Sequence, residues 1–385
     1  MIRGLFSKTY FLFTFSTAFF MFSCQASNKY WELDLEEIPL DYAEGFKVFQ
    51  GEGFKLVEVY KAFPGTHDTY RYLILEENGE EKLKGKFDAV ITLPIEKVIL
   101  TSTTHVPHLD YLGRSDLLVG FPNLDLISTQ KVRDLISQKR IKDLGRGGLT
   151  NFELAVDLEP DWIMISTLGD DLRSLELFKK AGIPAPINGE YMEQHPLGRA
   201  EWIKFTGALL GEWEKAVSIF EEIKNDYLIA AERVERKGDY RPKVISGVMY
   251  KDIWYAPGAE SWGAQLLEAA GGDYIFKGHS GTGSLQLSYE YVLDKAQDAD
   301  IWIGASDHKT IEDMGKADPR YRFFKAFQDG QVYTYTLKKG PTGGIEYFEL
   351  GYLRPDLILK DLIKTLYPEQ LPDYSHYFYT QLNEK

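Results

Sequence analysis

The chain has 385 residues, enough for two domains of ordinary size, and 44% of them are apolar, so cores can form and wholesale disorder is excluded. Its 58 acidic and 44 basic side chains leave a net charge of −14; no basic block reverses it locally, so nucleic acid is not expected as a partner. The 24 Tyr and 23 Phe suit a carbohydrate- or chelate-binding surface and suit thick cores equally well.

At the N-terminus, Arg3 and Lys8 form a basic stretch, Tyr10 to Phe22 is an apolar run of 13 residues, and Ser23 precedes Cys24. The run would rise only ~20 Å as a helix against a hydrocarbon core of ~30 Å, so a signal is expected rather than a membrane span. Residues 1–23 look like a bacterial lipoprotein signal, with Cys24, the sole cysteine, as the acylated first residue of the mature chain. Met21 stands where such signals usually carry Leu.

Residues 25–43 are acidic and irregular and read as a tether leaving the membrane; 24–88 is taken as tether and N-terminal β-ribbon. In the ribbon, FKLVEVYKAF and TYRYLILEE are strands separated by the turn signal PGTHD. An N-terminal α/β lobe is expected over 89–211. AVITLP and KVILTST are β-branched runs of the kind buried in a parallel sheet, followed by a short helix, HVPHLDYLG, ending at Gly113. LLVGF is another buried strand, and a Gly-rich turn, GRGG, precedes TNFELAVDLEPDWIMIS, read as a helix from near Thr150 leading into a strand from Trp162. LRSLELFKKAGIPAPIN repeats the alternation of helix and strand, which argues for a parallel three-layer lobe.

The longest helical signal follows. Trp202, Thr206, Leu209, Trp213, Ala216, Phe220, Ile223, Tyr227, Ala230 and Val234 recur in steps of three and four, keeping one stripe toward a partner surface. Gly211 sits where a first helix closes, so a connecting helix over 212–238 is predicted, about 39 Å long for residues 212–237. The C-terminal lobe, 239–385, repeats the grammar: KVISGVMY as a strand, WYAPGAES as a loop, WGAQLLEAAGG as a helix, then LSYEYVLDKAQDADIWIGAS. That last run matches the earlier TNFELAVDLEPDWIMIS unit, setting Glu290 against Glu153. An internal duplication of architecture is the economical reading. FQDGQVYTY is a late strand and RPDLILKDLIKTLYPEQL a terminal helix.

Taken together, NFELAVDLEPDWIMIS, ESWGAQLLEAAGGDYIF, LSYEYVLDKAQDADIWIG and RPDLILKD resemble the periplasmic binding proteins that deliver cobalamin and ferric siderophores to ABC importers, over about residues 95–370. The resemblance implies two three-layer α/β lobes with mainly parallel central sheets, bridged by a single long α-helix, with the ligand in a cleft between them. It implies no enzymatic activity and no cofactor. The ligand would be a metal chelate: a ferric siderophore, cobalamin or haem. It also implies that Glu153 and Glu290 dock on arginines of the two permease subunits. Thr150 to Glu153 also reads as a capping box, in which the glutamate serves its own helix.

If the sheets are parallel, the cleft lies beyond the carboxyl ends of the strands. Four loops reach it, offering Thr104 and His105, Arg146, Trp254 with Tyr255 and Trp262, and Gln286 as candidate ligand contacts. Arg199 reads as a cap or brace of the connecting helix, with ligand contact the alternative. Two other functions remain open. His105-x-x-His108 is a two-ligand start for a free metal ion, but no second His cluster completes it. For an exported two-domain enzyme, there is no G-x-S-x-G elbow, Walker loop or G-x-G-x-x-G.

Overall fold

In the computed structural model, residues 35–76, 87–146, 151–169, 172–235 and 240–383 are described. Cys24, the signal segment, Thr150 and two glycines of the GRGG turn lie outside them. The strand Val98–Leu100 has every residue buried, as does Trp162–Met164, and apolar runs of this kind need cover on both faces. They pair with each other in an all-parallel sheet in the order Lys142–Asp143, Leu118–Phe121, Val98–Leu100, Trp162–Met164. The second lobe repeats this with Asp273–Tyr274, Lys243–Ser246, Ile301–Ile303, Val332–Thr334 and an antiparallel edge strand, Thr380–Gln381. The fold is the expected pair of α/β lobes.

The duplication is visible at the helix starts. Asn151 caps Phe152–Asp157 by accepting the Leu154 N–H, and Ser288 caps Tyr289–Ala296 by accepting the Tyr291 N–H. Glu153 and Glu290 therefore occupy the same position, two residues past the cap. Because Asn151 is the cap, Glu153 does not hold the capping-box position expected from Thr150.

Between the lobes the long helical signal resolves into three pieces. Pro196–Glu201 and Ile203–Leu210 come first; the second is buried along its whole length. A Cβ on Gly207 would stand 2.5 Å from that of Ala216, which is why a helix-weakening residue is kept there. Gly211, at φ +72°, closes the second piece in the left-handed region. The strut is then Trp213–Glu235. Trp213, Ala216, Phe220, Ile223, Tyr227 and Ala230 are its buried stripe, as their spacing predicts. Each large side chain among them contributes about 1.5 to 3 kcal/mol by burial.

Three expectations need correction. The described part of the tether, from residue 35 on, is built into the fold: Glu36–Ile38 pairs with Phe46–Gly51, and the N–H groups of Asp41, Tyr42 and Ala43 donate to the buried carboxylate of Glu201 at 2.7 to 2.9 Å. The run Ala89–Thr92 pairs parallel to Tyr70–Leu75 and so joins the N-terminal ribbon sheet, not the lobe sheet. Its alternating burial marks a half-covered strand, a signal its β-branched composition hid. Finally, KVISGVMY is two strands. Gly247, at φ +100°, turns the chain so that Val248–Tyr250 leaves the lobe sheet and pairs with Ile253–Pro257, the supposed loop. An added Cβ on Gly247 would meet the Tyr255 carbonyl oxygen at 2.0 Å, so only glycine fits. Ser284–Ser288 completes this three-stranded antiparallel sheet.

Candidate functional site

Beyond the carboxyl ends of the C-terminal lobe strands lies a cavity of about 520 Å³. Its walls are the small sheet (Val248, Tyr255, Pro257), the first turn of the helix Trp262–Ala269, and the aromatics Tyr335, Tyr347, Phe348 and Tyr352. Ser261 caps that helix, accepting the Ala264 N–H at 3.3 Å, and the helix start adds positive potential to the wall. Tyr335 and Tyr347 stack at 4.0 Å between ring centroids. Burial pushes the Tyr347 hydroxyl far above its ordinary pKa, with the neighbouring Tyr335 adding to the effect, so it stays protonated.

Among the described residues lining the cavity, Arg199 alone is charged. Its guanidinium lies 4.2 Å from the Tyr352 ring centroid and 5.0 Å from that of Trp262. Nε donates to the Glu193 carbonyl at 2.8 Å and Nη2 to that of Tyr191 at 3.0 Å, fixing the plane of the fork. One cation held beside two aromatic rings favours an anionic, planar-faced guest. The indole Nε1 of Trp262 is buried without a hydrogen-bond partner.

Of the sequence candidates, Tyr255 and Trp262 come together here, and Arg199 joins the wall, its hydrogen bonds holding the Tyr191–Glu193 turn and not the strut. Trp254 does not reach the cavity. Strand alternation turns it inward, where it is fully buried against Trp302 and its Nε1 donates to the Ser246 carbonyl at 3.0 Å. Gln286 stands opposite Tyr255 on the small sheet, exposed and outside the cavity wall. Arg146 is exposed, paired with Asp125 at 3.1 Å, and also absent from the wall. Thr104 is half-buried and bonds Ser102 at 2.7 Å between hydroxyls.

His105 is fully buried, as is His108. The Nε2 of His105 lies 3.4 Å from one oxygen of the buried Glu190, and that of His108 lies 3.8 Å from the other. His108 Nδ1 is 2.8 Å from the Thr206 hydroxyl. Burial pushes the His108 pKa down to about 4, outweighing the attraction of Glu190. Burial raises the Glu190 carboxyl, but the histidines and Thr104 outweigh it and the net direction is down. With the two rings addressing opposite oxygens, the three groups do not share one centre. Among the described residues no group of three or more His, Cys, Asp or Glu is arranged to hold a metal ion.

Sequence reasoning missed Tyr335, Tyr347, Phe348 and Tyr352. The signal was present in the aromatic density of YFELGY, residues 347–352, just before the terminal helix. Glu153 and Glu290 are exposed, and neither makes an ion pair among the described residues. No helix of the described residues is long and apolar enough to cross a membrane.

A sequence profile described as "Periplasmic binding protein" matches residues 98–338. The chain belongs to the periplasmic binding protein family. An uncharacterized lipoprotein of Methanocaldococcus jannaschii is 27% identical over 313 residues, 79% of this chain and 72% of its own length. Among solved structures, Helicobacter pylori CeuE with Ni(II) bound has a TM-score of 0.56 at 20% identity, covering 74% of this chain and 88% of its own. The periplasmic heme binding protein HutB of Vibrio cholerae has a TM-score of 0.54 at 14% identity, covering 70% and 99%. These two structures share the fold. A periplasmic binding protein captures solutes, and the cavity is where this one has room for a guest.

Proposed function

We propose that this periplasmic binding protein is lipid-anchored at Cys24, captures a metal chelate (a ferric siderophore, cobalamin or haem) and hands it to the permease of an ABC importer. The observation that carries the reading is the aromatic cavity with Arg199 as its one charged wall residue, in a chain of net charge −14. Anionic groups of a chelate are drawn to that cation, and its flat faces meet Tyr335, Tyr352 and Trp262. Glu153 and Glu290 are the docking groups in this reading: exposed, unpaired and equivalent in the two lobes. The relative named as a lipoprotein supports the anchor, and a mass spectrum of the detergent-extracted chain checks it.

The test is calorimetric titration of the purified protein with haemin, cyanocobalamin and ferric catecholate and hydroxamate siderophores, following Trp fluorescence in parallel. One class should bind with micromolar or tighter affinity, about 8 kcal/mol. Arg199→Met should weaken it about tenfold to a hundredfold, in the range of a charge-assisted hydrogen bond. No binding by any of the four would overturn the chelate reading.

A further inference from the structure

Arg199 is held from a part of the chain far from it in sequence. It sits on the helix Pro196–Glu201, six residues long and too short to be stable alone. Its guanidinium uses Nε on the Glu193 carbonyl and Nη2 on that of Tyr191, and Nη1 has no hydrogen bond among the described residues. The turn at 191–193 therefore decides where Nη1 points.

The segment Asp41–Gly45 fixes both that turn and the helix. Its five consecutive backbone N–H groups donate to two buried carboxylates at 2.7 to 2.9 Å: those of Asp41, Tyr42 and Ala43 to Glu201, and those of Glu44 and Gly45 to Oε1 of Glu193. The two acids flank Arg199, one on either side in sequence. Trp202 adds its Nε1, donating to the same Glu193 oxygen at 3.1 Å. The Tyr42 ring stacks on His195 at 4.7 Å between centroids, and His195 caps the helix by accepting the Leu197 N–H at 3.1 Å. A Cβ on Gly198, next to Arg199, would lie 3.1 Å from the Tyr42 carbonyl oxygen. All these contacts fall on residues 193–202, the stretch that carries Arg199. Bonds to ionised acceptors are roughly twice as strong as neutral ones.

We propose that Asp41–Gly45 is a strap that positions Arg199 for the guest, with Glu193 as the positioning residue. A segment ahead of residues 98–338, the stretch that carries the family match, is then a working part of the ligand site. An arginine side chain carries about 2 kcal/mol of rotamer entropy, and the strap removes that cost before the guest arrives. The inference rests on the reading of Arg199 as the guest's anion contact. It concerns that contact alone, since Tyr335, Tyr347 and Tyr352 stand on the C-terminal lobe.

The test follows the Arg199 Nε–H of the full chain by heteronuclear NMR, the signal being identified by its loss in Arg199→Met. In the wild type it should be protected from solvent exchange. Glu193→Ala should speed that exchange about tenfold or more. Gly45→Ala, whose Cβ would stand 2.9 Å from the Glu193 carboxylate, should act the same way. Glu193→Gln keeps an oxygen acceptor and should retain most of the protection. Phe178→Leu, a core change on another helix, should lower the melting temperature and leave the signal unmoved. Circular dichroism and melting of each variant confirm folding.

In titrations with haemin and a ferric catecholate siderophore, both anionic, Glu193→Ala should weaken binding about tenfold while the affinity for uncharged cyanocobalamin stays as in wild type. Wild-type exchange in folded Glu193→Ala and Gly45→Ala overturns the strap and leaves the chelate reading in place. So does faster exchange with unchanged affinity for the anions. If the wild-type chain binds neither anion, this inference and the anionic-guest reading fall together.

Discussion

Lys97 and Lys243 stand at the head of an interior strand of their lobes. In each lobe an aspartate, Asp161 or Asp300, accepts the lysine N–H at 2.8 or 2.9 Å and returns its own N–H to the lysine carbonyl at 2.8 or 2.9 Å. The helix cap and the exposed glutamate two residues after it are matched as well. Away from this frame the lobes part. The N-terminal lobe is closed by a five-stranded ribbon sheet, whose junction is held by the buried Glu193, Glu201 and Lys204. The C-terminal lobe carries the small sheet and the aromatic cavity. A duplicated frame thus supports two tasks, with one half fixing the chain's entry and the other receiving the guest.

The equivalence is tested first where the effect is largest. Glu153→Ala with Glu290→Ala should abolish uptake while leaving chelate affinity and stability within about 0.5 kcal/mol of wild type, since both acids are exposed. Undiminished transport would end the docking assignment.

The difference is tested next. Glu201 accepts three backbone N–H groups and the Lys204 ammonium at 2.6 Å, all at the ribbon junction. Glu201→Ala leaves that buried lysine unpaired and should cost about 3 to 5 kcal/mol in urea unfolding. Adding Lys204→Met should restore part of it. A loss below about 1 kcal/mol would mean the junction tolerates water.

The smallest effect is pH dependence. His108 faces His105, Glu190 and Thr206, and its folded pKa of about 4 lies below the unfolded value. The unfolded chain therefore binds more protons between those values, and stability falls as pH falls. Lowering pH from 7 to 4.5 should remove about 2 kcal/mol through this group. Glu190, also depressed, acts in the same direction at the lower end. His108→Gln should lessen the slope between pH 6.5 and 4.5, and an unaltered slope would locate the acid sensitivity elsewhere.

The strut, the duplication and both glutamates were legible because periodicity and repetition are local properties of the chain. Gly211 announced its own boundary for the same reason. The cavity was less legible. Trp254 and Tyr255 are adjacent in sequence, and only the strand, hidden behind a Pro-Gly signal, sends one to the core and the other to the wall. His105 looked like a loop ligand until Glu190, 85 positions later, turned out to bury it. The tether misled because acidic, irregular sequence reads as solvent-exposed. Its order comes from Glu201 and Glu193, carboxylates more than a hundred residues away that satisfy its backbone donors.

The strut is not the sole tie between the lobes. Glu349, buried in the short helix Glu346–Leu350, accepts the backbone N–H and hydroxyl groups of Ser128 and Thr129 from the N-terminal lobe. Thr342 donates its hydroxyl to the Asp125 carbonyl at 2.7 Å and Arg354 its guanidinium to the Tyr111 hydroxyl at 2.8 Å, so the lobes are held at several points away from the strut. Wide separation of the lobes would break all of these bonds together, so the chain resists a large hinge opening.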